Sequence, residues 1–487
     1  MSIKAQGTDP SGAATPWQGD TPASPAEMSA TELLAGYAAG ELSPVEAVDA
    51  VLDRIASEDA HINAFCLVKA EEARAAARES ERRWHQGSPH GRLDGVPTAV
   101  KDIMLTQGWP TLRGSRTVDP DQSWQEDSPA VARLREHGAV LVGKTTTPEI
   151  AWKGVTDSPL TGITRNPWDT TMTPGGSSGG AAAAVAMGMT HLATGTDGGG
   201  SVRIPASFTG TFALKPTYGL VPHYPASAFG TLAHSGPMTR TVADAALMLD
   251  VISGPDSRDW SALAPPPGDF TSTLDQPLTG MRIAFSPTLG YVEVEEEVAR
   301  PVAAAVRAFE ELGAHVEEVD PGLPDCTEDF HVLWFAGAAK ATAHLTADQR
   351  ALLDPGLAEI IEEGLSYSAQ DYLAAMGTRM AMGERMGRFH DSYDLLLTPT
   401  MPIPAFDAGL EVPPGWPQRR WTSWAGFSFP FNMTQQPAAS VPCGFTADQL
   451  PVGLQIVGPR HSDARVLAAA HAFEKIRPWP HLWSPLG

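Results

Sequence analysis

Apolar residues in the first part of this chain recur with the three- to four-residue spacing of amphipathic helices. Residues 29–40 show this spacing and predict a first helix. A second helix is predicted from Ser43, because Ser43 and Glu46 have the spacing of a capping box. The charged segment 70–87 predicts a third helix on the outside of the protein. The ordered chain is therefore expected to begin with a helical part, at about residues 29–90.

After these helices, short apolar strands alternate with helical segments. The first predicted strand is 96–104, "VPTAVKDIM", and residues 326–393 are expected to be mostly helical. Such alternation is typical of a wound α/β sheet with helices on both faces. No internal repeat is found. Further strands are predicted at 140–144, 191–197, 281–286, 315–320, 393–400, 438–442 and 451–458, and further helices at 128–139, 181–189, 241–253, 302–312 and 462–476.

Composition and charge narrow the classes of protein to which this chain can belong. A chain of 487 residues with 42% hydrophobic residues is long enough to bury a sizeable core. The formal net charge of −23 argues against nucleic acid and anionic membrane surfaces as partners, and it disfavours polyanionic substrates. No apolar run reaches the roughly 18 residues that span a membrane. The sequence therefore predicts a soluble protein with no membrane partner.

The cysteines and the N-terminal composition indicate a reducing compartment. Cys66, Cys326 and Cys443 lie far apart, with no CxxC and no histidine at metal-binding spacing. Segment 1–28 is rich in Pro, Gly, Ser and Thr and lacks the apolar region of a signal peptide. We therefore expect a cytoplasmic protein in which a disordered extension over 1–28 precedes the folded domain, 29–487.

The stretch 175–180, "GGSSGG", enters an alanine-rich helix and admits four interpretations. A phosphate-binding loop would need a Lys-Ser/Thr pair after the glycines, which is missing. A flexible linker fits poorly, because regular sequence lies on both sides. A nucleophile elbow, G-x-S-x-G, would need a downstream Asp and His, but His390 and His461 stand in no recognisable setting. The fourth interpretation is a relay serine at a helix N-terminus, where N–H groups favour negative charge.

A second glycine-rich stretch, "GTDGGGSVR" at 195–203, bears on this choice. Three glycines before Ser201 allow successive N–H groups to face one concavity and stabilise an anionic oxygen. One such donor can lower the free-energy barrier of acyl transfer by roughly 3–4 kcal/mol. Ser201 is therefore a candidate nucleophile. Lys101, among apolar neighbours, is a candidate base if burial keeps its amine neutral, and the alternative is a lysine paired with Asp102.

Together these stretches resemble the amidase signature family, and in particular its bacterial amidases that act as single chains. The resemblance covers the chain from about Ser29 to its C-terminus. It rests on "VPTAVKD", "GKTTTPE", "GGSSGG", "GTDGGGSVRIPAS", "ALKPTYG", "PFNMTQQPAASVP" and "PVGLQIVG". It implies a large single-domain, three-layer α/β/α fold with a mixed central sheet. The implied catalytic core lies at about 91–255, and a variable substrate-pocket and lid region lies at about 320–435.

Matched residue by residue, the resemblance also implies a catalytic set without histidine. Ser201 matches the acyl-forming nucleophile, Lys101 the general base, and Ser177 a serine in a cis peptide between them, 24 residues before Ser201. Members commonly carry Thr or Ile where this chain has Gly198, and the extra glycine is expected to loosen the loop. The implied oxyanion-hole donors are the N–H groups of Gly198, Gly199, Gly200 and Ser201, and the supporting positions are Ser178, Asp197 and Arg203.

The resemblance implies an amidase without metal or cofactor. The aromatic content of the later chain favours a small, neutral, hydrophobic or aromatic amide, with esters and carbamates (urethanes) left open. Alternatives are the glutamine-hydrolysing subunit of a tRNA-dependent amidotransferase, an inactive scaffold and an α/β-hydrolase with a histidine base. The apolar faces of the predicted helices could pack in the core or against a second copy of the chain, so a homodimer is also left open. The aromatic residues expected to line the pocket are Trp334, Phe335, Trp421, Trp424 and Phe429.

Overall fold

A computed structural model describes residues 22–482, which fold around one large sheet. Its helices are α1 (Ala30–Ala39), α2 (Pro44–Ile62), α3 (Ala70–His85), α4 (Pro129–Glu136), α5 (Gly179–Ala186), α6 (Arg203–Thr209), α7 (Val242–Ile252), α8 (Glu296–Glu311), α9 (Thr327–Ala341), α10 (Ala347–Arg350), α11 (Pro355–Ser366), α12 (Ala369–His390), α13 (Pro430–Met433) and α14 (Asp463–Ile476). Its strands are β1 (Phe65–Val68), β2 (Pro97–Lys101), β3 (Val140–Thr145), β4 (Asp157–Ser158), β5 (Gly162–Ile163), β6 (Leu192–Asp197), β7 (Phe212–Lys215), β8 (His234–Thr239), β9 (Arg282–Phe285), β10 (His315–Glu318), β11 (Leu395–Pro399), β12 (Ala438–Phe445) and β13 (Pro451–Val457).

Eleven of these strands form the central sheet, in the order β1-β3-β2-β6-β8-β7-β12-β13-β11-β9-β10. The pairs β3–β2, β2–β6, β11–β9 and β9–β10 are parallel, and the other neighbours are antiparallel. Strands β4 and β5 form a separate two-stranded pair. The expected single-domain α/β fold with a mixed sheet is confirmed.

Helices cover both faces of this sheet, because neighbouring strand residues point to opposite sides. Leu192 packs in the core formed with α7, α8 and α14, whereas the next residue, Ala193, packs in the core formed with α2, α3 and α5. A third core, rich in aromatic residues, lies under α9, α11 and α12. Within residues 22–482, no helix combines the length and the apolar character needed to cross a membrane.

Local signals account for the first helices. Ser29 and Glu32 form a capping box at α1, which ends at Gly40 in a left-handed conformation with φ of 71°. Ser43 and Glu46 form the predicted capping box at α2. Two orphan N–H groups are satisfied at each start, so these helix boundaries are set by a few local residues.

The expected disordered extension over 1–28 is corrected in part. Residues 1–21 lie outside the described residues, but residues 24–28 are partly or fully buried against the domain. Ala26 is fully buried in the short helical turn Pro25–Glu27. Its neighbour Pro25 accepts a hydrogen bond from His191, and Arg240 donates to the carbonyl oxygens of Ala26 and Met28. These buried donors give the segment a fixed position that its composition does not indicate.

Three strands of the sheet were not predicted, and the first strand is β1 rather than β2. Strand β1 has four residues and pairs only with β3 at the sheet edge, and β7 is equally short. Strand β8, "HSGPMT", contains Gly236 and Pro237, which disfavour strands, yet all six residues are buried. Helix α8 begins at Glu296, before the predicted start at residue 302, with Pro301 inside it. Tertiary packing overrides local preference at these places.

A buried carboxylate connects the N-terminal helix to the domain and gives a test of this packing. Asp244 in α7 accepts hydrogen bonds from the backbone N–H groups of Ala30 (2.9 Å) and Thr31 (3.0 Å). Replacing Asp244 by Ala leaves these donors without a partner and is expected to lower the free energy of unfolding by about 2–3 kcal/mol. Chemical denaturation measures the change. Asp244→Asn keeps an acceptor oxygen and should cost less, whereas equal stability of the Ala variant and the native protein would contradict this account.

Candidate active site

The predicted catalytic residues meet at the carboxyl ends of two neighbouring parallel strands. Lys101 is the last residue of β2, and the adjacent strand β6 ends at Asp197. The loop after β6 carries Ser201, and the loop before α5 carries Ser177 and Ser178. The Ser178 N–H group donates to the carbonyl oxygen of Ser201 at 3.1 Å, which holds the two loops together. Ligand sites in α/β sheets form at such strand ends.

Lys101 is fully buried and faces hydroxyl groups rather than a carboxylate. Its Nζ lies 2.7 Å from Ser177 Oγ, 2.8 Å from Ser178 Oγ and 2.9 Å from Thr196 Oγ1. Burial lowers the pKa of Lys101 well below its ordinary value, and the charge of Asp197 only partly opposes this shift. A lysine in these surroundings is favoured as the neutral amine, which can accept a proton.

The alternative pairing of Lys101 with Asp102 is not found. The Asp102 carboxylate instead lies 3.1 Å from Nζ of Lys144, and both side chains are buried. Asp102 is the first residue after β2, in a turn, so it does not share the strand-end position of Lys101. The position of Lys101 therefore supports the interpretation as a base rather than as half of a structural ion pair.

Ser177 and Ser201 line the same cavity, but their hydroxyl groups have different surroundings. The Gly176–Ser177 peptide bond is cis, as the resemblance implied. Ser177 Oγ contacts the amine of Lys101, and both serines line a cavity of about 770 Å³. Among the described residues, the Ser201 hydroxyl makes no hydrogen bond. It is therefore available to a molecule in the cavity.

A buried ion pair supports the loop that carries Ser201. Arg203 binds the Asp197 carboxylate with two donors, both at 2.9 Å, and neither side chain is exposed. Burial alone would raise the pKa of Asp197, but the Arg203 guanidinium brings it well below its usual range. The supporting roles expected for both residues agree with this geometry.

The same carboxylate changes the expected set of oxyanion donors. The N–H group of Gly200 donates to Asp197 at 2.7 Å, so it is engaged within the protein and is removed from that set. The N–H groups of Gly198, Gly199 and Ser201 donate to no atom of the described chain. Three N–H groups of the expected set are therefore unengaged within the described chain, and of these residues Gly198 and Ser201 line the cavity.

Sequence reasoning assigned no role to four residues that complete the site. Thr196 contacts the amine of Lys101. Ser428 donates to the Gly199 carbonyl at 2.6 Å, Asn432 bonds both Asp197 and Arg203, and Gln455 accepts from Arg203 at 2.7 Å. Asn432 and Gln455 belong to the motifs "PFNMTQQPAASVP" and "PVGLQIVG", so only the family resemblance marked them in advance.

The walls of the cavity differ from those expected. Many lining residues come from 103–126 and 223–233, with fewer from the expected region 320–435. Trp334 lines the cavity as predicted and stacks on Phe229, with ring centres 3.8 Å apart. A Cβ on Gly198 would lie 2.7 Å from the Trp334 ring, so a larger residue at this departure from the family pattern would require the ring to move.

Four of the five predicted pocket aromatics do not line the cavity. They are buried in the aromatic core, where Phe330 stacks on Phe429 with ring centres 4.8 Å apart. The prediction was wrong because aromatic content does not show which side of a loop faces solvent or ligand. The four residues are Phe335, Trp421, Trp424 and Phe429.

Comparison with known proteins identifies the family. The family model described as Amidase matches residues 46–467. The chain is 38% identical to an acylamidase of Rhodococcus erythropolis, covering 93% of this chain and 96% of the relative. It is also 38% identical to a glutamyl-tRNA(Gln) amidotransferase subunit of Myxococcus xanthus, covering 92% of this chain and 97% of that protein.

A solved structure gives the same assignment. The crystal structure of a bacterial aryl acylamidase of the amidase signature family matches with a TM-score of 0.87 and 35% identity, covering 93% of this chain and 96% of that one. Family model, sequence and fold thus agree over nearly the whole length. This chain belongs to the amidase family and is a hydrolase that acts on amides.

Proposed function

We propose that this chain hydrolyses the C–N bond of a small amide through an acyl-enzyme on Ser201. The observation that carries the proposal is the fully buried amine of Lys101, which lies 2.7 Å from Ser177 Oγ in the cavity that also holds Ser201. A buried base that contacts a hydroxyl beside a second, unengaged hydroxyl is an arrangement for activating a nucleophile.

In the acylation step, Ser201 Oγ attacks the carbonyl carbon of the amide. Its proton passes to Ser177 Oγ as the Ser177 proton passes to the neutral amine of Lys101, so the net transfer is one proton from Ser201 to Lys101 and Ser177 stays neutral. The carbonyl oxygen becomes an oxyanion near the N–H groups of Gly198, Gly199 and Ser201. Each well-placed donor contributes roughly 3–4 kcal/mol to such a step.

Collapse of the tetrahedral intermediate breaks the C–N bond and releases the amine. The leaving nitrogen takes the proton back from Lys101 through Ser177, which restores the neutral base. Water then attacks the acyl-enzyme with the same proton route, and the carboxylic acid leaves. In each of these steps, Ser177 and Lys101 carry the proton.

Aromatic residues in the cavity lining support a hydrophobic or aromatic substrate group. Phe229 and Trp334 both line the cavity and stack on each other, and aromatic rings favour flat apolar groups. The similarity to the structure of a bacterial aryl acylamidase is in line with an aromatic amide. Esters and carbamates undergo the same acyl chemistry and remain within the proposal.

A second candidate function is supported by the similarity to an amidotransferase component. At 38% identity to the Myxococcus xanthus protein, this chain is as similar to that relative as to the acylamidase. Under this alternative the substrate would be glutamine, and activity would depend on partner chains. The two candidates differ in whether the single chain hydrolyses simple amides.

The first of two predictions on catalysis concerns turnover by the purified single chain. We expect hydrolysis of 4-nitroanilides that carry aliphatic, aromatic or alkoxycarbonyl acyl groups. Lys101→Ala and Ser201→Ala should each lower kcat/KM by about 10⁴-fold or more, because members of a proton relay act as a unit. Release of 4-nitroaniline measures the rate.

Ser227→Ala is the matched control for these variants. Ser227 lines the same cavity, but its hydroxyl accepts a hydrogen bond from Phe229 N–H rather than contacting Lys101. Its kcat/KM should stay within about threefold of the native value. No anilide hydrolysis, together with glutaminase activity only after partner chains are added, would favour the amidotransferase alternative.

The second prediction is the pH dependence of the reaction. Only the neutral amine of Lys101 can accept the proton, so kcat/KM should fall on the acid side as the pH drops through its lowered pKa. Above that pKa, the rate should stay level. A rate that keeps rising about tenfold per pH unit up to about pH 10 would contradict a lowered lysine pKa.

Thr196→Val provides a specific check on the assignment of this acid limb. The Thr196 hydroxyl accepts a hydrogen bond from Lys101 Nζ and therefore favours the charged ammonium. Its removal should move the acid limb to lower pH. An unchanged limb would assign the titration to a group other than Lys101.

A further inference from the structure

The cavity contains a cationic side chain that the proposed mechanism does not use. Arg113, in the loop after β2, lines the same cavity as Ser177 and Ser201 and is partly buried. Among the described residues, its guanidinium donates no hydrogen bond and forms no ion pair. Arginine presents five donors, and none of the Arg113 nitrogens is sealed from solvent, so these donors are open to a ligand in the cavity.

The backbone around Arg113 is fixed rather than loose. Arg113 has a φ of 56°, in the left-handed region that non-glycine residues seldom adopt. Its carbonyl accepts from Ile150 N–H at 2.8 Å, and the preceding Leu112 N–H donates to Asp102 at 3.3 Å. A Cβ on the following Gly114 would lie 3.1 Å from the backbone of Pro148, so the loop packs closely against that segment. The fold therefore holds this cation at the cavity.

The charges near Arg113 do not neutralise it at close range. Burial lowers its pKa, with only Asp102 opposing the shift. The Asp102 carboxylate is itself paired with Lys144 at 3.1 Å. Asp119 and Glu126 also line the cavity, but both are exposed to solvent. An anionic group within the cavity would supply the partner that the protein does not.

The lining of the cavity thus combines two kinds of chemistry. The stacked rings of Phe229 and Trp334 contribute apolar surface, whereas Ser115, Thr117 and Arg113 contribute hydroxyl groups and a positive charge. A guanidinium matches the planar geometry of a carboxylate and can bind both of its oxygens. Polar groups of this kind set the orientation of a ligand in its pocket.

We propose that Arg113 binds a carboxylate of the substrate, so that the preferred amides carry one on their acyl or amine side. The inference rests on the proposed function, because it places this carboxylate in the cavity that also contains Ser201. The net charge of −23 repels polyanions at long range, whereas a single carboxylate gains a direct partner.

Two pairs of amides that differ only in this charge test the proposal. On the acyl side, succinyl 4-nitroanilide is compared with the isosteric 4-methylpentanoyl 4-nitroanilide. On the amine side, 4-acetamidobenzoate is compared with N-acetyl-4-isopropylaniline, with product amines separated by chromatography. In the pair whose carboxylate is on the side that Arg113 binds, acyl or amine, we expect the carboxylate to raise kcat/KM about ten- to a hundredfold, mainly through a lower KM.

Variants in one loop assign this preference to Arg113. Arg113→Gln should remove the preference and leave the neutral twin within about twofold, and Arg113→Lys should keep part of it. Arg116→Gln is the matched control, because Arg116 lies three residues further along the same loop but is exposed. It should retain the full preference.

The outcomes separate this inference from the proposed function. Hydrolysis of the neutral amides without a carboxylate preference, or a preference that survives Arg113→Gln, overturns the inference and leaves the proposed function intact. No hydrolysis of any of the four amides counts against the proposed function. Calorimetry then decides the inference, using succinate and 4-acetamidobenzoate with the Ser201→Ala protein. Binding weakened about tenfold or more by Arg113→Gln supports it, and equal or absent binding overturns it.

Discussion

The active site depends on the buried ion pair between Arg203 and Asp197. Arg203 uses its donors on Asp197, on the carbonyl of Ser428 and on the side chains of Asn432 and Gln455. Burying two opposite charges costs desolvation energy, which opposes their attraction. The pair is therefore stable only when nearly all donors and acceptors of both groups are hydrogen-bonded. One guanidinium thereby joins the end of β6, the start of α6, the segment before α13 and strand β13.

This ion pair also affects the electrostatic surroundings of Lys101. Lys144, another buried lysine, has Asp102 as its direct partner, whereas the contacts of Lys101 are hydroxyl groups. Asp197 is the carboxylate whose charge acts on Lys101, and it is already bound by Arg203. The attraction that would keep Lys101 charged is therefore weakened, and desolvation dominates its pKa. The nucleophile loop and the basicity of the lysine depend on the same carboxylate.

Sequence alone predicted the parts of this molecule that depend on local pattern. The capping box at Ser43 and the motifs around Ser177 and Ser201 are short and specific, and the structure brings these serines to one cavity. Strand β8 was missed because its burial comes from neighbouring strands rather than from its own residues. The N–H group of Gly200 was misassigned because the direction of the Asp197 carboxylate is a property of the folded loop.

Most walls of the cavity belong to different segments from the groups to which we assign the chemistry. Lys101, Ser177 and Ser201 stand at strand ends and a helix start, whereas many wall residues lie in 103–126 and 223–233. Natural selection can therefore alter the walls by insertion or substitution without disturbing the proton route. This separation gives a physical reason why one ancestral scaffold could diversify into acylamidases and amidotransferase components that remain similar over nearly their whole length.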